Sequence, residues 1–345
     1  MKKDIKSLNN EELAEWVREN SLPAFRAKQI FSWLHKSGVS DFSEMSNVSK
    51  DLRNKLSEEF YISSCEIENK YVSAIDGTVK YLFRLLDGEF LETVIMKYKY
   101  GYTICVSSQV GCKMGCRFCA STLAGFKRNL TAGEIESQLH SVQKDLGIRI
   151  SHIVLMGIGE PLDNFDNVLR FIANVNSEDG LNISVRNITL STCGIVPRIK
   201  DLMKHDLQLT LTISLHAPND KIRSKIMPVN DRWKINEVID ACREYAEFTS
   251  RRVSFEYTLI KDVNDTPECA EELSKLLKGM LCHVNLIPVN NVEERKNIRS
   301  SDKSVNKFLH ILQKNGINAT IRRTLGSDIN ASCGQLRRKK TEVAQ

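Results

Sequence analysis

The sequence predicts an α/β fold, a partial (β/α) barrel preceded by a small helical accessory region and a β-hairpin. Three observations predict it. From residue 103 onward, strand-like apolar runs alternate with helical patterns, which implies βα units and a parallel sheet. Six or seven such units are too few to close an eight-stranded barrel. Polar or glycine-rich groups follow five of the strand runs, as expected where C-terminal strand ends line a site.

The elements follow in order. Asn9, with Glu12 three positions on, makes a capping-box-like helix start. Phe25, Ile30, Phe31 and Leu34 recur at helical spacing, and Ser49 to Phe60 carries a third helix through Leu52 and Leu56. Between about residues 65 and 100 the pattern changes to strands. Tyr81–Leu86, Asp87-Gly88 and Phe90–Met96 read as a hairpin with a D-G turn. Seven strand runs then follow: Thr103–Ser107, His152–Met156, Asn187–Leu190, Leu209–Ser214, Val253–Leu259, Val284–Ile287 and Ala319–Arg322. Helical patterns at Ala132–Leu146, Asn167–Val175, Ile235–Phe248, Pro267–Leu277 and Ser304–Lys314 lie between them. This divides the chain into an accessory region (1–95), a core (96–330) and a C-terminal segment (331–345).

Composition narrows the class. With 345 residues, 41% of them hydrophobic, the chain can bury a sizeable core. No apolar run approaches the ~20 residues that span a bilayer, and no apolar stretch follows the basic start. Ten cysteines without an export signal argue for a reducing compartment, hence a cytoplasmic protein. The net charge of +6 permits nucleic-acid binding without proving it. The clearest basic clusters are Arg322-Arg323 and the run Arg337–Lys340, and such a run also serves as a plain solvated tail.

The chemistry concentrates in Gly111-Cys-Lys-Met-Gly-Cys-Arg-Phe-Cys119, a C-x3-C-x2-C run. Cys112, Cys116 and Cys119 can hold three irons of a [4Fe-4S] cluster and leave the fourth without a protein ligand. That spacing is the one of radical S-adenosylmethionine (SAM) enzymes, whose open iron chelates SAM. A structural zinc site is the alternative, but zinc prefers four closed ligands, and here the fourth must come from far away in sequence. After the other strand runs come Gly157–Pro161, Ser191–Gly194, Ser214–His216 and Pro288–Asn290. Taken singly, such turns are ordinary punctuation, and His216 alone reads as a satisfied half-buried histidine. Together they read as a lining for SAM.

Beyond this loop, Ser107–Cys112, Gly159-Glu-Pro-Leu162, Ser214–Asn219, Asn285–Pro288 and Ala331-Ser-Cys333-Gly-Gln-Leu336 resemble the radical-SAM RNA adenine methyltransferases, along essentially the whole chain. The resemblance implies a radical SAM core with one [4Fe-4S] cluster and two SAM per turnover. It implies 23S ribosomal RNA and transfer RNA as substrates, an external electron donor, no membrane and a monomer. One branch of the family methylates C2 of adenine and the other C8. Pro161 resembles the C2 branch, since the C8 branch tends to carry Ala there. A C8 methylase and a non-catalytic zinc RNA-binding module are the competing readings.

The resemblance also implies roles. Cys333 takes a methyl from one SAM; a 5′-deoxyadenosyl radical from the second SAM removes a hydrogen atom from it. The methylene radical adds to C2, and Cys105 resolves the covalent adduct through a transient disulfide with Cys333. Without the resemblance, Cys105 reads as a buried strand residue and Cys333 as a spare surface thiol. Glu92 is a proton acceptor or adenine contact by resemblance and a solvent-face carboxylate by composition. Gly159, Glu160, Ser191, Ser214 and Asn290 contact SAM, flanked by Leu215 and His216. Cys193 departs from the family, which usually has Ser there, and puts a further thiol near that site. The adenine must be presented unstacked, which gives the N-terminal helices and the basic tail a part in holding RNA.

Overall fold

The computed structural model describes residues 2–290, 292, 294, 297–332 and 334–336. Cys333 and the basic run from Arg337 lie outside the described residues. The first sixty residues fold around a core of their own. β1 (Lys3–Asp4) pairs in parallel with β2 (Phe60–Tyr61), and α1 (Asn10–Glu19), α2 (Phe25–Phe31) and α3 (Lys50–Glu59) lie between them in sequence. The capping box forms: Asn9 Oδ1 accepts from the Glu12 amide at 2.8 Å, and the Glu12 carboxylate accepts from the Asn9 amide at 2.9 Å. Ile5, Leu13, Ile30, Phe31, Leu34 and Leu56 are buried together. α2 continues as a π-helical turn, Ser32–Lys36, a geometry that apolar periodicity does not reveal.

A buried ionic group joins this unit to the core. Glu136, on α4 (Ala132–Leu146), is fully buried and bonds His35 Nδ1 at 2.8 Å and His140 Nε2 at 3.0 Å. Burial raises the Glu136 carboxyl, but the two imidazoles outweigh it and hold it down at about 2. Burial lowers His140 from its ordinary 6.5, against the pull of Glu136. The signs agree. Below about pH 6.5 the unfolded chain takes up a proton that folded His140 refuses. Stability tied to Glu136 is present above about pH 4.5 and is lost as pH falls towards 2. We therefore expect the thermal midpoint to fall as pH drops from 7 to 4. Glu136→Gln should cost about 3 kcal/mol at pH 7 and flatten that dependence. Circular-dichroism melts at three pH values check both, and identical profiles for the two proteins would refute this reading.

The rest of the chain is organised by a ten-stranded mixed sheet. β3 (Glu66–Val72), β4 (Val79–Arg84), β5 (Phe90–Tyr98) and β6 (Gly101–Cys105) are successive antiparallel neighbours. The hairpin is thus continuous with the core sheet, and a boundary at residue 95 falls inside β5. Gly88 supplies its turn at φ +82°, with the Gly88 amide donating to Leu85 O at 2.9 Å. A separate two-stranded ribbon, β7 (Gln109–Gly111) and β8 (Phe126–Asn129), flanks the cysteine loop.

β6 then begins a parallel array. β9 (Ile150–Leu155), β10 (Ile188–Thr192), β11 (Thr210–Ser214), β12 (Val253–Leu259), β13 (Cys282–Pro288) and β14 (Ala319–Ile321) follow in chain order. These seven strands form an open barrel, since β14 is one edge of the sheet and β3 the other. β12 is buried along its whole length, as parallel strands covered on both faces are. α4 connects β8 to β9, and α5 (Phe165–Asn176), α8 (Ile235–Thr249), α9 (Pro267–Leu277) and α10 (Asp302–Lys314) lie between later strands, close to their expected spans. Two helices escaped the sequence reading: α6 (Val196–Met203) and α7 (Asp220–Ile226) are too short to show a clear period.

Candidate active site

The cysteine loop starts where β7 stops. Gly111 has φ +78°, and a Cβ there would fall on the Gly125 carbonyl, so a left-handed, side-chain-free residue is required. We expect Gly111→Ala to lower stability by about 2 kcal/mol or more and to reduce iron incorporation, measured by denaturant melts and iron analysis. The loop is tied down by its own backbone. The Arg117 amide donates to Ile226 O at 2.9 Å, and Thr122 Oγ1 donates to the Cys116 and Cys119 carbonyls at 3.2 and 3.0 Å. Burial pushes the Cys112 thiol up to about 12 and Cys116 well above its usual range. Without a cation these are neutral thiols; coordination to a metal deprotonates them.

Ten residues were expected to hold the cluster and SAM. Nine of them (Cys112, Cys116, Cys119, Gly159, Glu160, Ser191, Ser214, His216 and Asn290) line one cavity of about 140 Å³ at the C-terminal ends of the parallel strands. The tenth, Leu215, does not. Its side chain is fully buried in the main core, because successive residues at a strand end point to opposite sides. Glu160 is buried, with its carboxylate accepting from the Leu162 and Cys193 amides at 3.0 and 2.8 Å, while burial raises its carboxyl above the ordinary range. Cys193 lines the same cavity. His216 is buried rather than half-buried and sits at φ +57°. Its Nδ1 accepts from the Thr258 amide at 2.9 Å, and its ring lies edge-on to Phe118 at 4.8 Å. Burial, then Arg223, holds it down to about 3, so it is a neutral wall of the cavity with Nε2 as the protonated nitrogen.

Three organising residues were missed. Arg223, on α7, is fully buried and donates to the carbonyls of Cys193 at 2.6 Å, Leu215 at 3.1 Å and Ser214 at 3.2 Å, so it clamps the ends of β10 and β11. Gln109 Oε1 accepts from the Glu160 amide at 2.9 Å, and its Nε2 reaches Asn129 and Asp163, both at 2.8 Å. Gln138 holds Ser107 by both its amide and its carbonyl at 2.9 Å. An arginine on a short helix and a glutamine in Ser107–Cys112 were the only signals available for the first two.

A second cavity, of about 70 Å³, adjoins the first. Cys105 lines it from the end of β6, opposite Val94 of β5. Ser332 and Gly334, the residues on either side of Cys333, line it too. Cys333 itself is outside the described residues. The segment is anchored beside the cysteine loop, where the Ala120 amide donates to Gly334 O at 2.7 Å and Ser121 Oγ to Leu336 O at 2.9 Å. Glu92 corrects the composition reading: it is 3% exposed, not on a solvent face. It pairs with Lys80 at 3.1 Å and lies two residues from Val94, on the Cys105 side of β5, without lining either cavity.

The donor set fits an iron–sulfur cluster: Cys112, Cys116 and Cys119 line one cavity, and a cluster takes each thiolate on a separate iron. An open parallel barrel whose first strand leads into a three-cysteine loop, with glycine, serine and asparagine strand ends facing it, defines a radical SAM enzyme. Residues 106–277 match the model of the Radical SAM superfamily, and residues 3–62 match that of the ribosomal RNA large subunit methyltransferase N-terminal domain. A probable dual-specificity RNA methyltransferase RlmN of Clostridium novyi is 55% identical over 97% of this chain and 98% of its own. One from Clostridium perfringens is 56% identical over 97% of each. The crystal structure of a radical SAM methyltransferase from Sphaerobacter thermophilus superposes with a TM-score of 0.92 at 43% identity, covering 97% of this chain and 99% of that one. The chain belongs to the RlmN family of dual-specificity RNA methyltransferases. As a radical SAM enzyme it uses a [4Fe-4S] cluster and SAM. Among the described residues, no helix is long and apolar enough to cross a membrane.

Proposed function

We propose that this chain methylates C2 of an adenine in 23S ribosomal RNA and of the adenine next to the anticodon in transfer RNA, consuming two SAM per turnover. One observation carries the reading: Cys105 and the residues flanking Cys333 line a cavity that shares a wall with the cysteine-loop cavity. C2 lies between two ring nitrogens and is electron-poor, so it does not attack a methyl sulfonium; it accepts a carbon radical. Cys112, Cys116 and Cys119 hold the cluster, which when bound supplies the electron that cleaves SAM. Gly159, Glu160, Ser191, Ser214 and Asn290 hold SAM, and Arg223 and Gln109 fix the loops that carry them. His216 is a wall, and Leu215 acts through its backbone.

Cys333 carries the methyl carbon that becomes bonded to C2. Glu92 accepts the C2 proton, and Cys105 as thiolate attacks the Cys333 sulfur: the disulfide forms, the carbon–sulfur pair stays on the methylene carbon, which takes a proton to become the methyl, and the unpaired electron left on the ring passes to an external one-electron carrier. A cytosolic dithiol resets the disulfide. The N-terminal helices hold the RNA outside the cavity. The experiment is direct. Anaerobically loaded enzyme with a reductant is incubated separately with ribosomal and transfer RNA, and the digested nucleosides are resolved by mass spectrometry. 2-Methyladenosine from both is expected; 8-methyladenosine, or product from neither RNA, would overturn the reading.

A further inference from the structure

Arg322 is the one charged side chain, among the described residues, that lines both cavities. Its backbone amide donates to Leu286 O at 2.9 Å, which fixes it just past the end of β14. From inside the barrel, Glu256, 5% exposed, takes Nη1 at 3.2 Å; Glu256 also accepts from Asn285 Nδ2 at 3.0 Å. The guanidinium also faces Met156, with Nη1 and Nη2 at 3.6 and 3.4 Å from its Sδ. A thioether is a weak acceptor, while guanidinium presents five donors in a rigid fork. A ligand nitrogen or oxygen entering here readily replaces the sulfur contact.

The chemistry of the acceptor says which ligand atom gains most. Both neighbours of C2 in adenine are ring nitrogens with an in-plane lone pair. We propose that Arg322 donates a hydrogen bond to a ring nitrogen beside C2 of the target adenine, and so both positions the base and activates C2. This rests on the C2-methylation reading. In the addition, a bond forms between the methylene carbon on Cys333 and C2. One electron comes from the radical and one from the C2–N π bond, and the other π electron remains on the ring. A donor at the adjacent nitrogen stabilises that electron. In this addition no atom leaves and no oxidant is needed, and the guanidinium keeps its proton because arginine is not deprotonated in proteins. Glu256 is then a positioning residue, which holds the fork at the junction.

The test uses the cluster-loaded enzyme and RNA stem-loops whose target is adenine, 1-deazaadenine or 3-deazaadenine. Binding is measured without reductant, so that no turnover occurs, and methylation is measured with it. For the wild type, removing the nitrogen that Arg322 contacts should weaken binding and cut kcat/KM on the order of ten- to hundredfold. Arg322→Gln should lose a similar factor on adenine and show no further loss on that deaza substrate, with SAM affinity unchanged. Glu256→Gln, which keeps the arginine but frees it, should lose less and blunt the discrimination; it carries the test if Arg322→Gln does not fold. An Arg322→Gln enzyme that discriminates among the three RNAs as the wild type does, or whose defect traces to SAM affinity, overturns the proposal. Nucleoside mass spectrometry of the wild-type product separates this from failure of the C2 reading itself.

Discussion

Cys116→Ala protein, purified and reconstituted without oxygen, is expected to lose most of its iron and sulfide and to form no methylated RNA, while remaining folded. On the proposed assignment the cluster has three protein ligands, and removing one leaves two on a short loop, which does not hold it. The fold does not depend on that thiol. The loop is fastened by the Arg117 amide to Ile226 and by Thr122 to two of its carbonyls, and Cys116 is only one partly buried contact at the edge of the large apolar core beneath it. Truncating a half-buried cysteine to alanine costs about 1 kcal/mol. Iron and sulfide analysis, visible absorbance and a thermal melt on one preparation check all three parts. Zinc without sulfide in the wild type would defeat the cluster reading altogether.

How much of this was legible in the sequence depends on the range of the interaction that carries it. The cysteine loop was legible because its information is local: three thiols at fixed spacing. The parallel strands were legible because each is an apolar run with a polar or glycine-rich end, and those ends meet at one mouth. The site failed to show itself wherever a residue acts across the sheet. Arg223 joins three carbonyls from two strand ends, and nothing in Asp220–Ile226 announces that. Lys80 meets Glu92 only because β4 and β5 pair in one register, which turns an apparent solvent-face carboxylate into a buried ion pair. Leu215 was assigned by adjacency to Ser214 and His216, but alternation at a strand end sends it into the core. The accessory hairpin was recognised as a hairpin, yet its place as two strands of the main sheet, with β3 beyond them, is a pairing choice that its own residues do not encode.

The second large effect separates the two thiols of the methyl-transfer cavity. Cys105→Ala is expected to accumulate a covalent RNA–protein adduct, visible as a nuclease-sensitive shift on a denaturing gel, with little free methylated RNA. Cys333→Ala should give neither adduct nor product and should retain its full iron content. The asymmetry follows from the order of bonds in the proposed mechanism. Cys333 carries the carbon that joins C2, so without it nothing is attached. Cys105 only breaks the carbon–sulfur link, by attacking sulfur as exchanging thiols do, so without it attachment proceeds and release stops. Cys105 is placed for this: it is 9% exposed, at the end of β6, and lines the cavity that Ser332 and Gly334 also line. The other described thiol of that cavity is Cys119, which the proposed function assigns to the cluster. Removing Cys105 therefore leaves no described thiol there free of the cluster, and the small volume lost beside Val94 and Leu336 does not disturb the strand. Normal turnover by Cys105→Ala without an adduct would show that release uses another base and another sulfur acceptor, and would return Cys105 to the status of a packing residue.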